Sequence, residues 1–276
     1  MTAVVDARQV VSVPELQRAW RAVQAGEFRQ GSPAAAARAD VVPGSRTWAP
    51  GNGERVLPVV GCGGAPGAST VALGLASTAG GSARVLECRS GTTSGLAAAS
   101  TAELGVHRSG WRRGLRGDVL LERAGGLLTR VDEVPLPSVP DRPLALTVLD
   151  VGWDLRHVLD FPGWMGEQVR AAGVVVVVSR ATIPGLLHLE TTLSLLDQIR
   201  AVAAILGSPS KRWSKAVWHS SGPMTKAVQD SGRLVVIPHD SRLGATGLDS
   251  HPLPRQLLEA AHAILELTGS AMRQAR

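Results

Sequence analysis

VLPVVGCGGAPGASTVALGLA, residues Val56 to Ala76, runs from an apolar stretch through a Gly- and Pro-rich loop into an Ala-rich segment opened by Ser69 and Thr70. A strand feeding a glycine loop that ends at a helix N-terminus is the physical recipe for a phosphate site. Backbone N–H groups point into the loop, and the helix dipole favours an anion there. The spacing follows Gly-x-x-x-x-Gly-Lys-Ser/Thr, in which the lysine reaches the outer phosphates and the hydroxyl reaches Mg²⁺. Here Gly67 is the second glycine and Ser69 the hydroxyl, but Ala68 stands in the lysine slot. Cys62 stands in the first glycine slot, with Gly61 one residue earlier. The same letters also describe a tight turn that binds nothing.

The rest of the chain decides between these readings. Leu144 to Asp150 is an apolar strand ending in an acid, and Val174 to Val178 is five valines in a row. Such a run is too short for a membrane and suits a central parallel strand buried on both faces. Arg84 to Cys88, Ala216 to Ser220 and Arg233 to Pro238 read as further strands, while Ala201 to Leu206 is either a strand or a helix end. Helices are expected over Thr70–Thr78, Leu96–Leu104, Trp153–Ala172, from Leu186 through Ile199, and over Gln256–Leu267. Gly125 to Pro143 reads as a weak strand and a Pro-rich connection. Strands alternating with helices predict an α/β fold, a doubly wound and mostly parallel sheet with ligand loops at the strand C-termini.

Residues 1–54 read as an N-terminal arm, with one helix starting at Pro14 and a Pro/Gly-rich linker from Ser32 to Glu54; residues 55–276 read as the domain. The chain has 276 residues, a formal charge of +6 and a pI near 10.5, yet its only lysines are Lys211, Lys215 and Lys226. Abundant Arg, Ala, Gly and Pro with no Tyr is the pattern of GC-rich coding, which accounts for the high pI without nucleic acid. Two cysteines, Cys62 and Cys88, make no disulfide framework, and no CxxC or His-rich cluster points to a metal. No signal-like N-terminus or membrane-length apolar run is present, so the expectation is a soluble, cytoplasmic protein. The stretch His107–Arg116 is basic with one Trp, and Lys211–Lys215 carries Trp213. Each is either a nucleic-acid contact or a solvated loop.

Taken in order, these pieces resemble the MinD/ParA family of deviant-Walker P-loop ATPases. The family loop Lys-Gly-Gly-x-Gly-Lys-Thr-Thr is matched by Gly63-Gly64-Ala65-Pro66-Gly67-Ala68-Ser69-Thr70. Its Asp-x-Asp after the second strand is matched by Glu87-Cys88-Arg89, and its Walker B acid by Asp150. Its late Val-Ile-Pro-x-Asp turn is matched by Val236-Ile-Pro-His-Asp240, which places Pro238 on the adenine side. The resemblance covers about residues 55–267. It implies ATP or ADP bound with Mg²⁺ by Gly63, Gly64, Gly67, Ala68, Ser69, Thr70 and Pro238, with Ser69 and Asp150 on the metal. The departures are chemical: both family lysines are missing, at Gly63 and Ala68, and Arg89 stands where the water-orienting acid belongs. Phosphoryl transfer relies on placed charge, so these losses imply weak nucleotide binding and little hydrolysis. The resemblance thus implies a degenerate positioning, partition or assembly factor. Its partners would be a second copy, a protein docked on the arm, or non-specific DNA. A slow ATPase in partition or conjugative DNA transfer and a nucleotide-independent DNA-binding module are the alternatives.

Overall fold

The computed structural model describes Trp20, Arg21 and residues 47–274, with side chains described as far as Gly269. The helix expected from Pro14 lies, apart from Trp20 and Arg21, outside the described residues. Contacts divide the chain between Val42 and Pro43.

The second unit is built on one nine-stranded sheet in the order β3-β4-β5-β2-β6-β1-β7-β8-β9. The strands are β1 (Arg55–Gly61), β2 (Ala83–Glu87), β3 (Ala102–Val106), β4 (Trp111–Arg116), β5 (Val119–Ala124), β6 (Leu146–Asp150), β7 (Val175–Arg180), β8 (Ala201–Leu206) and β9 (Leu234–Ile237). Only β4 runs against the rest. The helices are α1 (Ala68–Ser77), α2 (Leu155–Asp160), α3 (Trp164–Ala171), α4 (Ile183–Leu196), α5 (Lys215–His219), α6 (Pro223–Asp230), α7 (Ser241–Thr246) and α8 (Arg255–Gln274). The fold is the expected doubly wound, mostly parallel α/β sheet flanked by helices.

The glycine-loop strand sits at the centre. β1 lies between β6 and β7, pairing Val59 with Asp150 on one side and with Val176 on the other. Strand alternation sends Val176 and Val178 into a core shared with α1 and α8, and Val175 and Val177 into the core under α2 to α6. All of these valines are fully buried. That explains an apolar run without polar alternation, since each residue removes its side chain from water on one face or the other.

A second, polar core ties the entry of the domain to the sheet. Arg84 on β2 is fully buried and donates to Glu54 at 3.0 Å, Glu122 at 3.1 Å, Thr147 Oγ1 at 2.7 Å and the Ser138 carbonyl at 2.8 Å. Its guanidinium also lies 5.5 Å from the Trp48 ring centroid, and Trp48 meets Trp164 edge to face at 5.8 Å. Trp48 and Glu54, read in sequence as linker, therefore pack into the domain.

Five local expectations are corrected. Leu96–Leu104 forms no helix: Leu96 and Ala99 anchor a turn, and the chain continues as β3 paired to β4. Ala and Leu richness favours a helix only where apolar periodicity supports it, and here cross-strand pairing prevails. His107–Arg116 is no solvated loop, because Trp111–Arg116 is β4 and Trp111 is fully buried. The expected strand in Gly125–Pro143 lies earlier, at Val119–Ala124, where Glu122 and Arg123 are buried in ion pairs and so disguise a core strand. Ala216–Ser220 belongs to α5, capped by the Ser214 hydroxyl, which accepts from the Val217 amide. An N-cap serine directly ahead of the run was the available signal. The expected helix over Trp153–Ala172 is two short helices, α2 and α3, broken at Pro162-Gly163.

Candidate functional site

The loop leaves β1 at Gly61 and closes on α1. Gly63 and Gly67 adopt φ of 86° and 98°, and Ala65 sits at φ 46°. At Gly63 and Gly67 both the left-handed backbone and the neighbouring side chains favour glycine. A Cβ on Gly67 would lie 2.5 Å from Leu206 Cδ2, and one on Gly63 would lie 2.4 Å from the His188 ring nitrogen Nδ1. Residue 63 is thus glycine for both backbone and space, so a lysine there is excluded unless His188 moves. The amides of Gly63, Gly64, Gly67, Ala68, Ser69 and Thr70 donate to no acceptor among the described residues, while Cys62 N is taken by Val178 O and Val71 N by Gly67 O. Amides without acceptors in a glycine loop at a helix N-terminus suit an anion.

Ser69, in the first turn of α1, reaches across to the tips of β6 and β2. Its hydroxyl donates to Asp150 Oδ2 at 2.6 Å, with Glu87 Oε1 at 3.3 Å. Both acids are almost wholly buried, and Asp150 Oδ1 has no partner. Glu87 also accepts from Ser94 Oγ, from Gly95 N at 2.6 Å and from Leu96 N at 3.3 Å. It thereby pins the loop after β2 onto Ser69, where a Cβ on Gly95 would lie 2.9 Å from the Ser69 hydroxyl. Sequence reasoning gave Glu87 only a place in a motif; its geometry makes it half of an acid pair.

Burial, then the neighbouring Glu87 charge, raises the Asp150 carboxyl to about 7; the Ser69 hydrogen bond and Arg89 oppose this. Folded Asp150 therefore keeps a proton that the unfolded chain releases from its ordinary value of 3.8 upwards. The folded state binds more protons across that window, so unfolding free energy falls as pH rises from about 4 to 7. Urea denaturation at pH 5 and pH 8 is expected to show lower stability at pH 8, and Asp150→Asn is expected to remove most of the difference. An unchanged slope in that variant would assign the effect elsewhere.

The donor set fits a hard divalent cation. An unpartnered carboxylate oxygen, a second carboxylate and a hydroxyl are the oxygen ligands that Mg²⁺ takes alongside water and phosphate. Among the described residues no cluster of three His, Cys, Asp or Glu gathers around a metal position. Thiol chemistry is disfavoured, because burial pushes Cys62 up to about 11 and Cys88 well above the ordinary thiol range. Pro238 follows β9, at the same end of the sheet but three strands from β1. A cleft of about 990 Å³ opens at the opposite end of the sheet, lined by Arg55, Thr78, Leu146, His262 and Glu266 among others, away from all of these residues.

Part of each basic segment is engaged inside the fold, while Arg112, Lys211, Arg212 and Lys215 are exposed. Arg113 lies 2.8 Å from Asp141 and 3.5 Å from Glu122. Arg116 is spent on the carbonyls of Ala99, Asp249 and His251. Trp111 and Trp213 are buried, with their indole N–H groups on Leu136 O and Ser208 O. Neither ring is available to stack on a base. No described helix is long and apolar enough to cross a membrane.

No protein-family model matches this chain, and no curated protein matches it in sequence. Solved structures are similar to it. A plasmid partition protein from Borrelia burgdorferi, bound to AMPPNP, shares 10% identity over 79% of this chain and 98% of its own, with a TM-score of 0.48. The cell division ATPase MinD of Pyrococcus furiosus shares 15% identity over 77% and 99%, with a TM-score of 0.48. The MinD cell division protein of Aquifex aeolicus shares 12% over 77% and 97%, at 0.49. The likeness is one of fold and transfers no residue's role.

Proposed function

We propose that this chain is a nucleotide-binding positioning, partition or assembly factor of MinD/ParA type that holds ATP or ADP with Mg²⁺ and hydrolyses ATP little or not at all. The single observation that carries the reading is the pairing of a free-amide loop with the Ser69–Asp150–Glu87 set, in a loop whose lysine slot is Ala68. The amides of Gly63, Gly64, Gly67, Ala68, Ser69 and Thr70 would cradle the phosphates, fixed in place and needing no reorganisation. Ser69, Asp150 and Glu87 would hold Mg²⁺, which supplies positive charge between the acids and the phosphates. Glu87 can turn to the ion only by loosening its hold on Ser94, Gly95 and Leu96, so ligand binding would reshape the loop after β2. Pro238 would border the base.

What the chain's residues do not supply is the rest of phosphoryl transfer. Ala68 brings no charge to the outer phosphate. Arg89, in the slot of the water-orienting acid, donates to Thr93 O and cannot accept a proton from water. Binding without turnover suits a protein whose bound state, rather than its chemistry, is read by a partner. That partner would be a second copy or a protein met by residues 1–54, read as an arm. DNA binding, if any, would rest on exposed cations such as Arg112, Lys211 and Arg212 and be sensitive to salt.

Calorimetric titration of the full chain with ATP and ADP in Mg²⁺ tests the binding half of this reading. Saturable binding of both, lost in Asp150→Ala, is expected. No heat and no protection against thermal unfolding at millimolar nucleotide would contradict it.

A further inference from the structure

The loop lacks its lysine, yet a cation stands against it from the neighbouring strand. β1 and β7 are paired with Gly61 opposite Val178, and Cys62 N donates to Val178 O at 2.8 Å, so the loop leaves the sheet alongside the tip of β7. Arg180 is the last residue of β7 and is exposed. Its Nη2 donates to the Ala65 carbonyl at 3.1 Å, which sets the guanidinium on the loop itself. Its Nε and Nη1 donors have no acceptor among the described residues, and no acid pairs with it.

The other basic side chains near the loop are placed differently. Arg89 donates to Thr93 O and faces Asp150, whose charge it offsets, so it serves the acid side. His188 lies against Gly63 and fills the space that a residue-63 side chain would need. A guanidinium presents several donors in a planar fork, so it can hold a backbone carbonyl with one and phosphate oxygens with others. The buried, unpartnered Asp150 Oδ1 marks the same loop as a ligand position independently of its amides.

We propose that Arg180 supplies, from the tip of β7, the positive charge that Ala68 does not, and holds the polyphosphate chain of the ligand against the loop. This rests on the nucleotide reading above and deepens it by naming the residue that reads phosphate charge. It predicts selection by phosphate number: the Arg180 contribution is largest for ATP, smaller for ADP and absent for adenosine.

The test compares the full chain with Arg180→Gln, Arg180→Lys and Arg180→Ala, titrated with ATP, ADP, adenosine and inorganic tripolyphosphate in Mg²⁺. Thermal melts verify that each variant folds. Arg180→Gln keeps a donor for Ala65 O but not the charge, which separates a loop brace from a phosphate ligand. Charge-assisted hydrogen bonds set the expected scale. Arg180→Gln and Arg180→Ala should weaken ATP about ten- to hundredfold and ADP less, and Arg180→Lys should retain part of the affinity. Arg180→Gln binding ATP as tightly as the unmodified chain would overturn the proposal and leave Arg180 a brace. If the unmodified chain binds tripolyphosphate through Arg180 but not ATP, the phosphate role stands and the nucleotide reading falls. If it binds neither, both fall.

Discussion

Arg84→Ala is expected to lower the unfolding free energy by about 3–5 kcal/mol, the scale for removing one partner of a buried ion pair. Arg84 is fully buried and neutralises two acids, Glu54 and Glu122, whose side chains are 2% and 0% exposed. Its loss leaves Glu54 buried without a cation and Glu122 with only Arg113 at 3.5 Å, and it takes a donor from Thr147 Oγ1 and from the Ser138 carbonyl. It also removes the cation beneath Trp48. For a domain of this size the change corresponds to a fall in melting temperature of roughly 10 °C. Arg84→Met with Glu54→Gln and Glu122→Gln should recover much of the loss, because the penalty comes from the unpaired charges more than from the missing attraction. A loss below about 1 kcal/mol for Arg84→Ala, the range of an exposed pair, would contradict a buried network that seats the start of β1.

Withdrawing Mg²⁺ is expected to weaken ATP binding about a hundredfold or more. In a loop with its lysine, a triphosphate meets protein cations on arrival. Here it meets Asp150 and Glu87, buried within reach of Ser69, and a single exposed guanidinium at Ala65. A charge pair at contact distance is worth about 1–4 kcal/mol between bulk water and a protein surface. Repulsion from one ionised acid therefore suffices for that factor. Titration in EDTA, compared with Mg²⁺ at the same ionic strength, measures it. Equal affinity in both would mean that the acid pair does not face the phosphates.

Much of this was legible from residue patterns, for physical reasons. A buried parallel strand has no freedom to be polar, so Val174–Val178 and Leu144–Leu149 declared themselves, and β1 indeed lies between their strands. Glycines at positive φ mark the loop because no other residue adopts that backbone without strain. Two of the failures came where charge was buried. Val119–Ala124 contains Glu122 and Arg123, which read as surface until their partners, distant in sequence, are known. Arg113 and Arg116 read as a nucleic-acid contact or a solvated loop because pairing with Asp141 or with the carbonyls near residue 250 is a tertiary fact. The loop and Asp150 were candidates in the sequence, from glycine spacing and from an acid at a strand end. The proximity of Glu87 to Ser69 and of Arg180 to Ala65 depends on which strand tips are neighbours, and that order is set by the sheet.

A nucleotide site that binds without turning over is tested most directly by phosphate release from the saturated protein. The unmodified chain, held in ATP and Mg²⁺ at a concentration shown by calorimetry to fill the site, should release phosphate at the rate of ATP in buffer alone, over hours. Phosphate released well above that rate, and abolished by Asp150→Ala, would contradict the account and make the protein an ATPase.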